Sequence, residues 1–180
     1  KSFSYNDEVL KKYLVDFYSY QGGVEFEYLN DVNYNLISCE NCSLLFQENI
    51  PNEFLMSKLY EEWIDSDKIM KNYENSHSLS YYNSYINLTY KIVSILKKQT
   101  SNIKFLDFGM GWGNWLKTAQ AYGIEVYGTE LSKDRIEHAK KHGINVLTYE
   151  DLPENKFDFI NTDQVFEHIS NPLETLKHLY

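Results

Sequence analysis

Arginine is nearly absent from this 180-residue chain: sixteen of its seventeen basic side chains are lysine, and Arg135 is the single exception. Against 26 acidic residues this leaves a formal net charge of −9. Proteins that grip nucleic acid gather lysine and arginine on one face to neutralise phosphates. No such concentration exists here, so nucleic acid is not an expected partner. An acidic surface favours solubility, and it does not repel a cationic small molecule. Cysteine is also scarce. Cys39 and Cys42 are the only two, too few and too close for a secreted disulfide framework, and a reducing cytoplasm is the expected location. No apolar run approaches the ~20 residues of a membrane helix, and no secretory-type apolar segment opens the sequence, so neither a membrane nor export is expected.

What is present is enough apolar material, 43% of residues, for a core. Three textures follow one another. Residues 1–50 carry short apolar and aromatic runs around Gly22-Gly23. Val24, Phe26 and Tyr28 alternate with Glu25 and Glu27, the period of a half-buried strand. Further strands are expected over 34–39 and 43–47, giving a small β-rich module. Residues 51–100 read as helical, with one helix opening after Pro51 and a second over 80–98. The second shows an apolar stripe at Tyr82, Ile86, Val93 and Leu96. From Ile103 to Tyr180 strands alternate with helices, which implies a parallel sheet joined by crossovers. Strands are expected over 103–108, 124–129, 144–147 and 157–162.

The first of these strands ends in Asp107-Phe108-Gly109-Met110-Gly111-Trp112-Gly113, which holds three of the chain's eight glycines. Glycine lets a strand-to-helix turn fold tightly and come close to a ligand, and open α/β sheets bind ligands at such junctions. Glu130 closes the second strand, where a carboxylate can grip a ribose diol. A dinucleotide fingerprint would place its third glycine at position 114, which is Asn114. Asp107 would also set a carboxylate near pyrophosphate. Both features disfavour a nicotinamide oxidoreductase and favour a ligand with a positive end and no phosphate.

Here the sequence resembles the class I S-adenosylmethionine-dependent methyltransferases. The resemblance rests on Asp107–Gly113, on Gly128-Thr129-Glu130-Leu131-Ser132, and on Tyr149–Pro153 followed by Phe157–Ile160. It also rests on Gln164-Val165-Phe166-Glu167-His168-Ile169 before Asn171-Pro172, a segment like that of the ubiquinone-type small-molecule subgroup. It implies a Rossmann-like parallel sheet and S-adenosylmethionine as methyl donor. The implied acceptor is a small molecule, such as a sugar or related metabolite. By resemblance, Asp107 attracts the cofactor's ammonium, and the turn through Phe108, Gly109, Met110, Gly111 and Gly113 packs on its methionine part. Glu130 accepts the ribose hydroxyls, and Leu131, Tyr149 and Glu150 border the adenine. Asp163 and Gln164 line the floor beneath the sulfonium. Thr148 stands where many relatives carry Asp. Glu167 and His168 follow the fourth strand and are the candidate catalytic pair, His168 as base. Their alternative role is to stabilise the helix that follows.

Tyr34 to Phe46, with Cys39-Glu40-Asn41-Cys42 at its centre, resembles the second knuckle of a zinc ribbon, which some small-molecule methyltransferases carry. Structural zinc takes four ligands. Ribbon spacing would put the other pair at positions 18 and 21, which hold Tyr18 and Gln21, and His77 is too distant to replace them. Cys39 and Cys42 are therefore either metal ligands or two free thiols in a hairpin.

Three divisions are expected: a zinc-ribbon-like β-rich module over 1–50, a helical cap or linker over 51–100, and half of a Rossmann-like domain over 101–180. The resemblance implies seven strands and four are legible, so the expected sheet is truncated after its fourth strand. Its open edge suggests self-association. A non-catalytic module that binds cofactor weakly or pairs with another protein is the alternative to an enzyme.

Overall fold

The computed structural model describes residues 1–19, 22–64 and 78–180. The chain divides into two units, Lys1–Ser76 and His77–Tyr180. Texture divides it at 50 and 100, whereas the structure assigns the stretch over 53–63 to the first unit and the long helix after residue 78 to the second.

In the first unit, β1 (Ser2–Ser4), β2 (Asn33–Ser38) and β3 (Leu45–Gln47) form an antiparallel sheet in that order. Between β1 and β2 lies α1 (Glu8–Tyr18), which the sequence texture does not signal. Its start is fixed by Asp7, whose Oδ1 accepts the Val9 and Leu10 N–H groups at 3.0 and 3.1 Å, satisfying two donors that the helix leaves unpaired. The strand expected over 24–28 is corrected by the structure: Phe26–Leu29 form a 3-10 turn that buries Leu29. Side-chain contacts override the alternation here. The Glu25 carboxylate accepts from Lys58 Nζ at 2.7 Å and Trp63 Nε1 at 3.0 Å. Lys11 Nζ stands 4.8 Å over the Phe26 ring. Residues 53–63 are helical, as α2 (Glu53–Lys58) and a π turn (Leu59–Trp63).

Cys39 and Cys42 occupy the turn between β2 and β3, closed by Cys39 N–H to Leu44 O at 2.9 Å and Ser43 N–H to Cys39 O at 2.8 Å. Backbone N–H groups of Cys42 and Asn41 and the Cys42 side chain lower the Cys39 pKa. Among the described residues no three His, Cys, Asp or Glu side chains converge on a metal position, and the two cysteines form no disulfide. Gln21 and His77 lie outside the described residues.

The second unit opens with α3 (Leu79–Leu96), capped by the Ser78 side chain and stopped at Lys97, which adopts φ 53°. Then come β4 (Lys104–Phe108), α4 (Asn114–Ala121), β5 (Glu125–Thr129), α5 (Lys133–Lys141), β6 (Asn145–Val146), β7 (Phe159–Asn161) and α6 (Pro172–Leu179). The four strands form a parallel sheet in the order β6-β5-β4-β7. The chain starts at β4, steps outward to β5 and β6, then returns to the opposite side of β4. The order therefore reverses between β4 and β7, the place where such sheets open a crevice at their carboxyl ends. Among the described residues no helix is long and apolar enough to cross a membrane.

Both faces of β4 are covered, which is why it reads as a continuous buried run. Phe105 faces a core with Ile92, Trp115, Leu116, Val126 and Ile144, its ring stacked on Trp115 at 5.3 Å. Leu106 and Phe108 face a second cluster with Leu152. Trp115 Nε1 donates to Thr89 Oγ1 at 3.2 Å and fixes α4 to α3. At the amino end of the sheet, Asp158 accepts the Lys104 N–H at 2.9 Å and pairs with Lys98. That holds the entry to β7 beside β4.

Candidate functional site

Asp107 is the only charged side chain in the buried part of β4, 6% exposed. Register decides its neighbours: Asn161 of β7 stands on one side and Gly128 of β5 on the other. Asn161 Nδ2 donates to Asp107 Oδ1 at 2.8 Å. That bond favours the carboxylate, yet burial outweighs it, and the nearby Asp163 and Glu130 push the same way. The Asp107 pKa rises from its ordinary 3.8 to about 6. Asp163, after β7, and Glu130, after β5, thus both act on Asp107 near the carboxyl end of β4. A buried carboxylate facing like charges costs free energy unless a cation joins it.

The turn after β4 is built on left-handed glycines. Gly109 has φ 80°, and a Cβ there would lie 2.4 Å from Val165 Cγ2. Its N–H donates to Thr129 Oγ1 at 3.1 Å, and the Met110 N–H to Thr129 O at 2.9 Å. Gly111, at φ 56°, has open space where a side chain would project. The backbone can therefore be approached there. Phe108 and Met110 send their side chains into the core, leaving backbone as their contribution to a ligand surface.

Glu130 follows β5. Its Oε1 accepts the N–H groups of Leu131 and Ser132 at 2.8 and 3.0 Å, which fixes the carboxylate at the start of α5. Leu131 beside it is 97% exposed, an apolar side chain free to lie against a flat ring. Asp151 Oδ2 accepts both the N–H and the Oγ–H of Thr148, at 2.9 and 2.8 Å. These two donors lower the Asp151 pKa and pin the turn that carries Tyr149 and Glu150. Tyr149 stacks on His178 with ring centroids 3.9 Å apart, and His178 Nε2–H donates to the Tyr149 carbonyl at 2.7 Å.

Asp163 and Gln164 follow β7, Gln164 in a left-handed conformation at φ 56°. Glu167 and His168 sit on a 3-10 turn, Phe166–His168. That turn reaches the glycine turn through Val165, which packs on Gly109, and through Phe166, whose ring lies 6.4 Å from Phe108. Glu167 is exposed and His168 half-buried.

Sequence reasoning missed Asn161, Thr129 and Tyr85 and left Tyr81 undecided. Asn161 and Thr129 are ordinary strand-end residues until register places them. On the helix expected over 80–98, Tyr85 falls beside the apolar stripe, and Tyr81 suits either a lid over the cofactor or the core. In the fold the two hydroxyls lie 3.1 Å apart, and Asn114 Nδ2 donates to Tyr81 Oη at 2.9 Å. Burial, Tyr81, and the charges of Asp107 and Asp163 all raise the Tyr85 pKa. The first turns of α3 therefore flank the acidic crevice.

A family model described as a methyltransferase domain matches residues 82–180, more than half of the chain. The chain belongs to this methyltransferase family. Ubiquinone biosynthesis O-methyltransferase of Pelagibacter ubique (strain HTCC1062) is 32% identical over 126 residues, which is 64% of this chain and 52% of that protein. Among solved structures, the plantazolicin methyltransferase BpumL matches with a TM-score of 0.51 at 25% identity, over 69% of this chain and 51% of its own. That crystal contains S-adenosylhomocysteine and a triazolic desmethyl-plantazolicin analogue. A second BpumL complex matches with a TM-score of 0.52 at 24% identity, over 70% of this chain and 51% of its own. The chain spans about half the length of the relatives it matches. The methyltransferase sheet here is the Rossmann-like sheet of the class I fold, and the matched residues include all of β4–β7 and every residue of the site just described except Tyr81.

Proposed function

We infer that the chain is the cofactor-binding part of an S-adenosylmethionine-dependent methyltransferase acting on a small molecule. One observation carries this: a buried carboxylate, Asp107, lies within the electrostatic reach of Glu130 and Asp163 beside an open glycine turn. The arrangement suits a ligand with cationic groups and no phosphate. When bound, S-adenosylmethionine supplies a methyl group already activated by its sulfonium. Asp107 would hold the ammonium end, the Gly109–Gly113 backbone the methionine portion, and Glu130 the ribose hydroxyls. Leu131, Tyr149 and Glu150 would border the adenine. Asp163 and Gln164 would lie under the sulfonium. Glu167 and His168 would face the acceptor, with the His168 imidazole taking its proton. The rest is positioning and exclusion of water.

A small acceptor, such as a sugar or related metabolite, accords with the low arginine content and net charge of −9. The Pelagibacter relative's name in ubiquinone biosynthesis points the same way. Among the described residues β7 pairs only with β4, which supports self-association through its free side. A monomer at all concentrations in sedimentation would remove that element.

Calorimetric titration of the chain with S-adenosylhomocysteine, with NAD as control, tests the reading. Saturable binding of the first and none of the second is expected. Binding of NAD, or of neither, would overturn it.

A further inference from the structure

The chain's single arginine stands on the first turn of α5, between the two halves of the candidate cofactor cradle. Arg135 Nη1 lies 3.6 Å from Glu130 Oε2, and its Cζ lies 5.6 Å from the Trp112 ring centre. The pair is sheltered: the Arg135 side chain is 23% exposed and that of Glu130 11%. Exposed ion pairs contribute little, but a pair this covered restrains both partners.

We propose that Arg135 is a positioning residue of the cofactor site, locking the Glu130 carboxylate to the glycine turn; the proposal rests on the cofactor reading above. Two facts argue for it. Glu130 Oε1 is already taken by the Leu131 and Ser132 N–H groups, so Oε2 is the oxygen left to meet a ligand. At 3.6 Å the guanidinium balances the charge of Oε2 yet lies beyond hydrogen-bond reach. Oε2 therefore keeps its lone pairs for hydroxyl donors. The second fact is the Trp112 contact. Trp112 sits between Gly111 and Gly113, so a guanidinium over its indole ties that turn to the end of β5. A planar guanidinium can lie on an aromatic ring while turning an edge to a carboxylate. A lysine ammonium can meet a ring and a carboxylate too, as Lys58 does with Tyr28 and Glu25, but as a point charge it lacks the flat, fixed fork that sets the orientation of both contacts.

The experiment is calorimetric titration with S-adenosylhomocysteine of the wild type, Arg135→Ala, Arg135→Lys, Glu130→Ala and the Glu130→Ala/Arg135→Ala pair. Circular dichroism and thermal midpoints accompany each titration. Arg135→Ala is expected to weaken binding about tenfold, as loss of a group that orients a ligating side chain does. Arg135→Lys keeps the charge and guards against a variant that fails to fold, and it is expected to remain weaker than wild type. In the Glu130→Ala background, removing Arg135 should cost nothing more, because it acts through that carboxylate. Wild-type affinity in both single arginine variants would overturn the proposal and leave the cofactor reading standing. An undiminished loss in the Glu130→Ala background would overturn it too, since Arg135 would then act by another route. If the wild type binds no S-adenosylhomocysteine, the cofactor reading falls and this proposal falls with it.

Discussion

Replacing Asp107 with asparagine should make the protein more stable and disable its proposed site. In the folded chain burial lifts this carboxyl from 3.8 to about 6. A shift of that size corresponds to about 3 kcal/mol between protonated and ionised forms. The direction is the reverse of that for a salt-bridged aspartate. Below pH ~3.8 the group is protonated whether folded or unfolded, and it contributes nothing to pH dependence. Between ~3.8 and ~6 the folded state binds the extra proton, so stability falls as pH rises. Above ~6 the full penalty is present. Asp107→Asn removes the charge and keeps an oxygen to accept from Asn161 Nδ2. Urea unfolding followed by tryptophan fluorescence should show wild type and variant alike near pH 4. At pH 7.5 the variant should be more stable, by up to about 3 kcal/mol. Calorimetry at pH 7.5 should show its S-adenosylhomocysteine binding lost, the trade expected where a site holds an unfavourable charge for function. A variant less stable than wild type at pH 7.5, or a difference that does not change with pH, would refute the argument.

Three further outcomes are expected. Glu130→Ala should weaken S-adenosylhomocysteine binding by ~1–3 kcal/mol through lost ribose contacts; unchanged affinity in the same titration would remove Glu130 from the site. His168→Ala should lower methyl transfer, read as S-adenosylhomocysteine release, about a hundredfold or more while leaving cofactor binding near wild type; equal turnover would remove it as base. Gly128→Ala should destabilise the fold by ~1–3 kcal/mol, because the new methyl would stand 2.1 Å from Met110 Sδ and 3.0 Å from Leu116 Cδ1. Gly111→Ala meets no atom and should cost only the strain of its φ of 56°; equal midpoints for these two variants would contradict the packing described.

Local chemistry made much of the second unit legible. Glycines at 109, 111 and 113 take positive φ, a need written in the residue type itself. Asp107 interrupts an apolar strand, and Glu130 closes the next one, so both stand out without any fold. The helix Lys133–Lys141 lies between Ser132 and Gly143, the latter at φ 76°, residue types that mark a helix's ends.

Other features depend on what lies opposite, and sequence spacing carries no record of that. Phe26 and Tyr28 alternate like a strand, yet Glu25 is drawn to Lys58, thirty-three positions away. The helix over 8–18 is fixed by an Asp7 cap that a reading of apolar texture passes over. Asn161 meets Asp107 across fifty-four positions because β7 returns to the far side of β4. Tyr85 joins the acidic crevice only because α3 packs on α4. Arg135 is visible in the sequence as the only arginine, but its ion pair with Glu130 and its place over Trp112 are not. The sequence by itself determined which residues must turn, cap, alternate or carry charge, since those needs are met within a few positions of backbone. Tertiary structure decided which charges face one another and how deeply they are buried, since strand order and register bring distant residues into contact.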